Sequence, residues 1–192
     1  MALTESELGD LLAGFTRSAF RFEPRDRYDS DVGREPFRRF LAGEPDDYEW
    51  HQGWMRRIRL DTEAGKVWQR VRIVSVPLSD YNRYALTVAR LSASAGEDIR
   101  YLERQVAIRL GLEPMDAWLL DDTRLARLYF DDRDDRFIGA ELITDPVVID
   151  RHKVWRELAC GMLRTSSRSR PCTGESLRPR PTGCRSARYP AA

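Results

Sequence analysis

Apolar residues along this chain recur every three to four positions in some stretches and every second position in others. The changes of period mark its elements. Thr4, with Glu7 three residues on, reads as a capping box, and Leu8, Leu11, Leu12 and Phe15 follow at helical spacing. "SAFRFEP" alternates, with Phe20 and Phe22 on one face, and predicts a short strand ended by Pro24. A charged loop over residues 25–34 leads to a short helix through Phe37, Phe40 and Leu41, stopped by Gly43. Trp50, Trp54 and Ile58 fall four apart, a helical stripe that Met55 widens and that reads as core. Gly65 suits the position just past that helix.

"KVWQRVRIVSV" is the strongest strand signal. Val67, Gln69, Val71 and Ile73 share one parity, while Trp68, Arg70, Arg72 and Val74 share the other. Alternation predicts a solvated face for Arg70 and Arg72. Pro77 stops the strand, and Tyr81, Tyr84, Ala85, Val88 and Leu91 define a helix over 79–95 that Gly96 closes. "DIRYL" predicts a strand and "ERQVAIRLG" a short helix closed by Gly111. Three more strand signals follow, "AWLLD", "RLARLYF" and "RFIGAELI", the last two joined by the five-residue loop Asp131 to Asp135. Asp145-Pro146 opens a final helix through Val148, Val154, Trp155 and Leu158. This order predicts a single α+β domain over residues 1–160, with a mixed or mainly antiparallel sheet and a C-terminal β-hairpin plus helix.

From residue 161 the composition turns to Ser, Arg, Pro and Gly with no apolar period, and disorder is expected there. That change also sharpens the charge. The whole chain of 192 residues carries a net +1, but 161–192 hold seven arginines and one acid, which leaves 25 basic and 30 acidic residues in 1–160, or −5. An acidic body with a basic tail offers no whole-domain attraction to nucleic acid or anionic lipid. The heavy use of arginine over lysine is read as GC-rich codon usage. No apolar run approaches the roughly 18 residues of a membrane span, and "MALTESELGD" lacks the parts of a signal peptide. A cytoplasmic location is expected. Cys160, Cys172 and Cys184, spaced by 12, match no zinc pattern, and His51 and His152 are not clustered with them.

The candidate chemistry is sparse. No Gly-rich phosphate loop, dinucleotide fingerprint, HExxH or Ser/His/Asp arrangement occurs, so no catalytic residue, metal ligand or cofactor is assigned. Ser79 and Asp80 have the residue types of a helix cap and its first turn. Free amides at that helix start, beside Arg70, Arg72 and Arg83, could also meet an anion. The acidic loop 131–135 lacks the turn glycine and distal glutamate of a calcium loop and reads as a solvated turn.

The stretches "RVRIVSVPLSDYNRYAL" and "ASAGEDIRYL", with "FRFEPRDRY", "FLAGEPDDYEWHQGWMRRIR" and "LYFDDRDDRFIGAELITDPVVIDRHKVWRELA", resemble an actinobacterial, Streptomyces-type family of domains of unknown function over residues 5–160. The resemblance implies no activity and carries over no catalytic residue. It implies a regulatory or partner-binding role beside helix–turn–helix regulators. Relatives continue the last helix past Cys160, and the departure from that pattern marks 161–192 as a frameshifted or otherwise non-homologous tail.

The leading expectation is therefore a non-enzymatic domain that binds a protein partner, a helix–turn–helix regulator, without cofactor or membrane contact. Its binding face is expected around Arg70, Arg72, Ser79, Asp80, Tyr81 and Arg83. The alternatives are a small-molecule or nucleotide-binding enzyme using an arginine-lined pocket near Ser79, and a nucleic-acid binder using Arg70, Arg72 and Trp68.

Overall fold

The computed structural model describes residues 2–113 and 115–166. In chain order they form β1 (Ala2–Leu3), α1 (Glu5–Ala13), β2 (Ser18–Glu23), α2 (Asp31–Ala42), a 3-10 turn (Glu49–His51), α3 (Gln52–Glu63) and β3 (Val67–Val74). There follow α4 (Asp80–Ser94), β4 (Asp98–Glu103), α5 (Arg104–Arg109), β5 (Ala117–Leu120), β6 (Arg124–Phe130), β7 (Phe137–Ile143) and α6 (Pro146–Ser166). The strands make one mixed sheet, ordered β1-β7-β6-β5-β2-β3-β4. The fold is thus α+β, with the expected hairpin and helix at its C-terminal end. Residues 167–192, where most of the basic tail, Cys172 and Cys184 fall, lie outside the described residues, and the backbone of α6 is helical to Ser166.

The sheet has two halves. β2, β3 and β4 run parallel, which requires long crossovers, and α2 with α3, then α4, supply them. β2 also pairs antiparallel with β5, and β5, β6, β7 and β1 continue as an antiparallel meander. The β5–β6 turn is closed by Asp121, whose carboxylate accepts backbone N–H bonds from Thr16, Arg17 and Ser18 at 2.6–3.1 Å. This one side chain fixes the α1–β2 junction against the middle of the sheet.

Both sheet faces are covered. Phe20, Phe22, Val71, Ile73, Leu119 and Leu125 pack against residues of α5 and α6, among them Ala107, Ile149, Trp155 and Ala159. On the other face Ala19, Trp68, Trp118 and Leu120 meet Phe15, Met55 and Ile58, with Leu8, Leu11, Trp54 and Leu91 at the margin. Trp68 sits at the centre of an aromatic cluster, 4.8 Å from Phe15, 5.1 Å from Trp54 and 5.7 Å from Trp118, each edge-on. Edge-on rings satisfy the quadrupole preference of aromatic pairs.

The second covered face corrects one expectation. Arg70 and Arg72 share their parity with Trp68, so they point into a buried layer, and their side chains are only 12% and 14% exposed. Alternation correctly assigns them to one face. It gives no sign that helices roof that face, because a parallel sheet is buried on both sides. Buried guanidinium groups need partners, and those partners build the site.

Candidate functional site

β2 and β3 both end at the same edge of the sheet, and from there the chain enters the N-termini of α2 and α4. In open α/β sheets this carboxyl edge is where ligands gather. Here Asp26 sets the local geometry. Its carboxylate accepts the Ser75 N–H (3.0 Å) and hydroxyl (2.6 Å), the Asn82 side-chain amide (3.0 Å) and Arg104 (3.0 Å). Burial raises its pKa, but the Ser75 bonds and Arg104 outweigh that and hold it below the usual carboxylate value.

Ser79 belongs to this same scaffold. Its hydroxyl oxygen accepts the Asn82 N–H at 3.1 Å, as an N-cap should, and donates to the Asp26 carbonyl at 3.2 Å. Asp80 and Arg83 pair at 3.3 Å on the exposed side of α4. Neither they nor Ser79 line a cavity with the arginines of β3. Of the residues expected to form a site, Arg72 and Tyr81 come together in one cavity wall. Arg70 lies in the layer beneath it.

That cavity holds about 180 Å³ between the β2–α2 loop, α2, the 3-10 turn, β3 and α4. The rings of Tyr28, Phe37, Trp50, Tyr81 and Tyr84 form most of its wall, with Ala85 and Val88. Neighbouring rings stand 5.4–6.5 Å apart: Tyr28–Tyr81 at 6.2 Å, Phe37–Tyr81 at 5.5 Å, Phe37–Tyr84 at 5.4 Å and Trp50–Tyr84 at 6.5 Å. The polar part of the wall comprises Arg27, Asp29, Ser30, Arg34 and Arg72. Trp50 was expected to be core. It lies on the 3-10 turn before α3, which carries its ring to the cavity, where Nε1–H donates to Asp46 at 3.0 Å.

Beneath the cavity lies a network of buried charges. Glu23, from β2, stands 2.5 Å from Arg70 Nη1, 2.7 Å from Arg72 Nε and 3.6 Å from Arg21 Nε. Arg70 reaches on to Glu97 at 2.7 Å, and Arg21 pairs with Asp116. The Tyr28 hydroxyl donates to Asp116 at 2.8 Å, which links the network to the cavity wall. Three arginines face three carboxylates, so the layer is neutral overall. A buried ion pair breaks even against desolvation only with good geometry on every arm.

The electrostatics follow from that layout. Burial alone would raise the Glu23 pKa, but Arg70, Arg72 and Arg21 together pull it down to about 2. Burial disfavours the charge on Arg70, and Glu23 and Glu97 more than reverse this, raising its pKa. Asp116 goes the other way, with burial prevailing over Arg21 and the Tyr28 bond so that its pKa is raised. Tyr28 is pushed well above its ordinary value by burial and by the nearby Asp116 and Glu23. The network is not fully satisfied: Arg21 Nη1, Glu97 Oε2 and the Tyr101 hydroxyl have no hydrogen-bond partner among the described residues. In the cavity wall, the Tyr84 hydroxyl is likewise buried without a partner.

Other candidates settle into structure. His51 bonds Ser92 Oγ at 2.8 Å with its ring 5.0 Å from that of Trp50, and His152 bonds the Val148 carbonyl at 2.8 Å; neither lines the cavity. Of the acidic loop after β6, Asp132 and Asp135 hold Arg25 at 3.0 and 2.7 Å, so the loop is an arginine clamp more than a freely solvated turn. Among the described residues no group of three side chains is placed to hold a metal ion, and no helix is long and apolar enough to cross a membrane.

Sequence reasoning missed Glu23, Asp26, Glu97 and Asp116, and most of the aromatic wall. Their hydrogen-bonding partners are 27 to 95 positions away in the chain, beyond any local pattern. One signal was present: "SAFRFE" and "VWQRVRIV" each carry charges on one parity and buried apolar residues on the other, as paired strands with a cross-strand network do.

Compared with known families, residues 6–162 match one described as a domain of unknown function (DUF6879), a span that contains the whole cavity and network. No curated protein matches the chain.

Proposed function

Because the chain belongs to DUF6879, a family described without an activity, we propose its function from the cavity: it binds a small molecule at the carboxyl edge of its parallel strands. The observation that carries this reading is a pocket walled by five aromatic rings and floored by the buried Arg72, with the Tyr84 hydroxyl buried and unpartnered in its wall. Pockets of this kind combine apolar walls with a few fixed polar groups.

The site binds without catalysing. Asp29, the one carboxylate in its wall, is engaged by Arg34 at 3.2 and 2.9 Å. Among the described residues the wall also holds no cysteine, histidine or lysine to serve as nucleophile or base. The cavity's volume of about 180 Å³ falls short of the roughly 300 Å³ at which pockets for drug-sized ligands begin, so most of a nucleotide would lie outside it. The sheet face proposed for nucleic acid is closed, because Trp68 is 1% exposed and Arg70 is committed to Glu23 and Glu97.

The test is a thermal-shift screen of single-ring fragments against the full chain and against Val88→Trp, which fills the cavity from α4. Some fragments should stabilise the wild type and lose that effect in the variant. A ligand at a hundred times its Kd contributes about 2.7 kcal/mol. If no fragment stabilises the wild type, or if the variant responds equally, the reading fails.

A second reading keeps the protein partner, a helix–turn–helix regulator that the bound ligand would control. It is favoured by Val147, Val154 and Leu158, exposed apolar residues aligned along the outer face of α6. Co-purification with such a regulator should disappear in Val154→Asp. Unchanged co-purification would remove α6 from the account.

A further inference from the structure

Resting on the reading of the cavity as a ligand site, we infer that its ligand is a single aromatic ring bearing a carboxylate. Size sets the ring count. A volume of about 180 Å³ stands near the ~150 Å³ of a cavity that accepts benzene, with room for one small substituent. The wall then sets the shape: Phe37 and Trp50 present ring faces or edges from the α2 side, and Tyr81 and Tyr84 do so from α4. A planar ring can meet these in the offset or edge-on arrangements that aromatic groups prefer.

The polar wall sets the substituent. Its acceptors are already used, since Asp29 takes both Arg34 bonds and the Ser30 oxygen accepts the Gly33 N–H at 3.1 Å. Its donors are not all used. Arg27 has its nearest carboxylate, Asp135, at 3.8 Å, beyond hydrogen-bond length, and its side chain is more than half exposed. Arg72 is already ion-paired with Glu23 at 2.7 Å and adds no spare charge. Tyr84, at 5% exposure, holds a buried hydroxyl with no partner.

With Arg34 balanced by Asp29 and Arg72 by Glu23, Arg27 is the guanidinium left to repel a cationic ligand, and a neutral ring would leave it and the Tyr84 hydroxyl unanswered. A carboxylate answers them, because its two oxygens accept paired N–H bonds from a guanidinium fork. The same wall that would stack a neutral ring therefore selects its acid.

The experiment is isothermal titration of the full chain with benzoate, benzyl alcohol and benzylammonium, probes of one size and three charges. Benzoate should bind about tenfold or more tighter than benzyl alcohol, the difference that hydrogen bonds to a charged group produce. Benzylammonium should bind weakest. Arg27→Gln and, separately, Tyr84→Phe should each weaken benzoate several-fold. Arg133→Gln, in the loop before β7, should not.

Equal or tighter binding of benzyl alcohol or benzylammonium overturns the carboxylate and leaves a ring-binding cavity standing. The same holds if benzoate binds best but neither Arg27→Gln nor Tyr84→Phe weakens it. If none of the three binds, the inference is overturned. The fragment screen against Val88→Trp then decides whether the ligand-site reading falls with it.

Discussion

Ser79 and Glu23 show how differently two polar residues of one neighbourhood can be used. Ser79 caps α4 and braces the Asp26 loop, so Ser79→Ala should cost about 1 kcal/mol in urea denaturation, as lost caps do. Arg83→Ala removes only an exposed pair with Asp80 and should stay within about 0.5 kcal/mol. Equal losses at the two positions would contradict the assignment. Glu23 is the keystone of the buried layer, and Glu23→Gln strands Arg70 and Arg72 without their shared carboxylate. Removing one member of a buried pair costs about 3–5 kcal/mol, and a loss near zero would show that the layer is hydrated in solution. The Ser79 cap was legible in the sequence because capping is a three-residue pattern. The role of Glu23 was not, because its partners arrive from β3, across a crossover of two helices.

At the scale of elements, the hairpin β6–β7 could be read from two alternating runs and a short polar loop between them. The parallel pairing of β2, β3 and β4 could not. Alternation has the same period in parallel and antiparallel strands, and only tertiary packing decides which edge meets which. The same limit hid the cavity, whose walls come from a loop and four elements that are each ordinary in isolation. Gly96 marks one join between such elements. It adopts φ +115, and a Cβ there would stand 2.6 Å from Thr62 Oγ1, itself bonded to the Ile58 carbonyl at 2.7 Å. Gly96→Ala should therefore separate the ends of α3 and α4 and lower stability by more than about 1 kcal/mol, measured by thermal or urea unfolding. A neutral outcome would mean that this join yields without cost.

For the molecule as a whole, the buried charges predict how stability follows pH. Glu23 and Asp121 are both held at about 2 in the fold, against ordinary values of 4.5 and 3.8. For Asp121, burial works upward and the N–H bonds of Arg17, Thr16 and Ser18 overcome it. A carboxylate with a depressed folded pKa stabilises fully above its unfolded value, and that stability is lost as pH falls toward the folded value. The urea midpoint should thus be steady above about pH 5 and fall steeply between about pH 4.5 and 2. Asp116, whose pKa is raised by burial, works in the opposite sense and softens the fall. Glu23→Gln should flatten the acid limb, and an unchanged limb would remove Glu23 from its cause.

The central claim, that the cavity is a ligand site, is tested most directly by the indole N–H signals of the five tryptophans. Trp50 lines the cavity, whereas Trp155 is packed on the opposite face of the sheet. Titration of the labelled protein with single-ring fragments, followed by NMR, should move the Trp50 signal in a saturable way and leave Trp155 in place. A Trp50 signal that no fragment moves, or a response at Trp155 instead, would contradict the account.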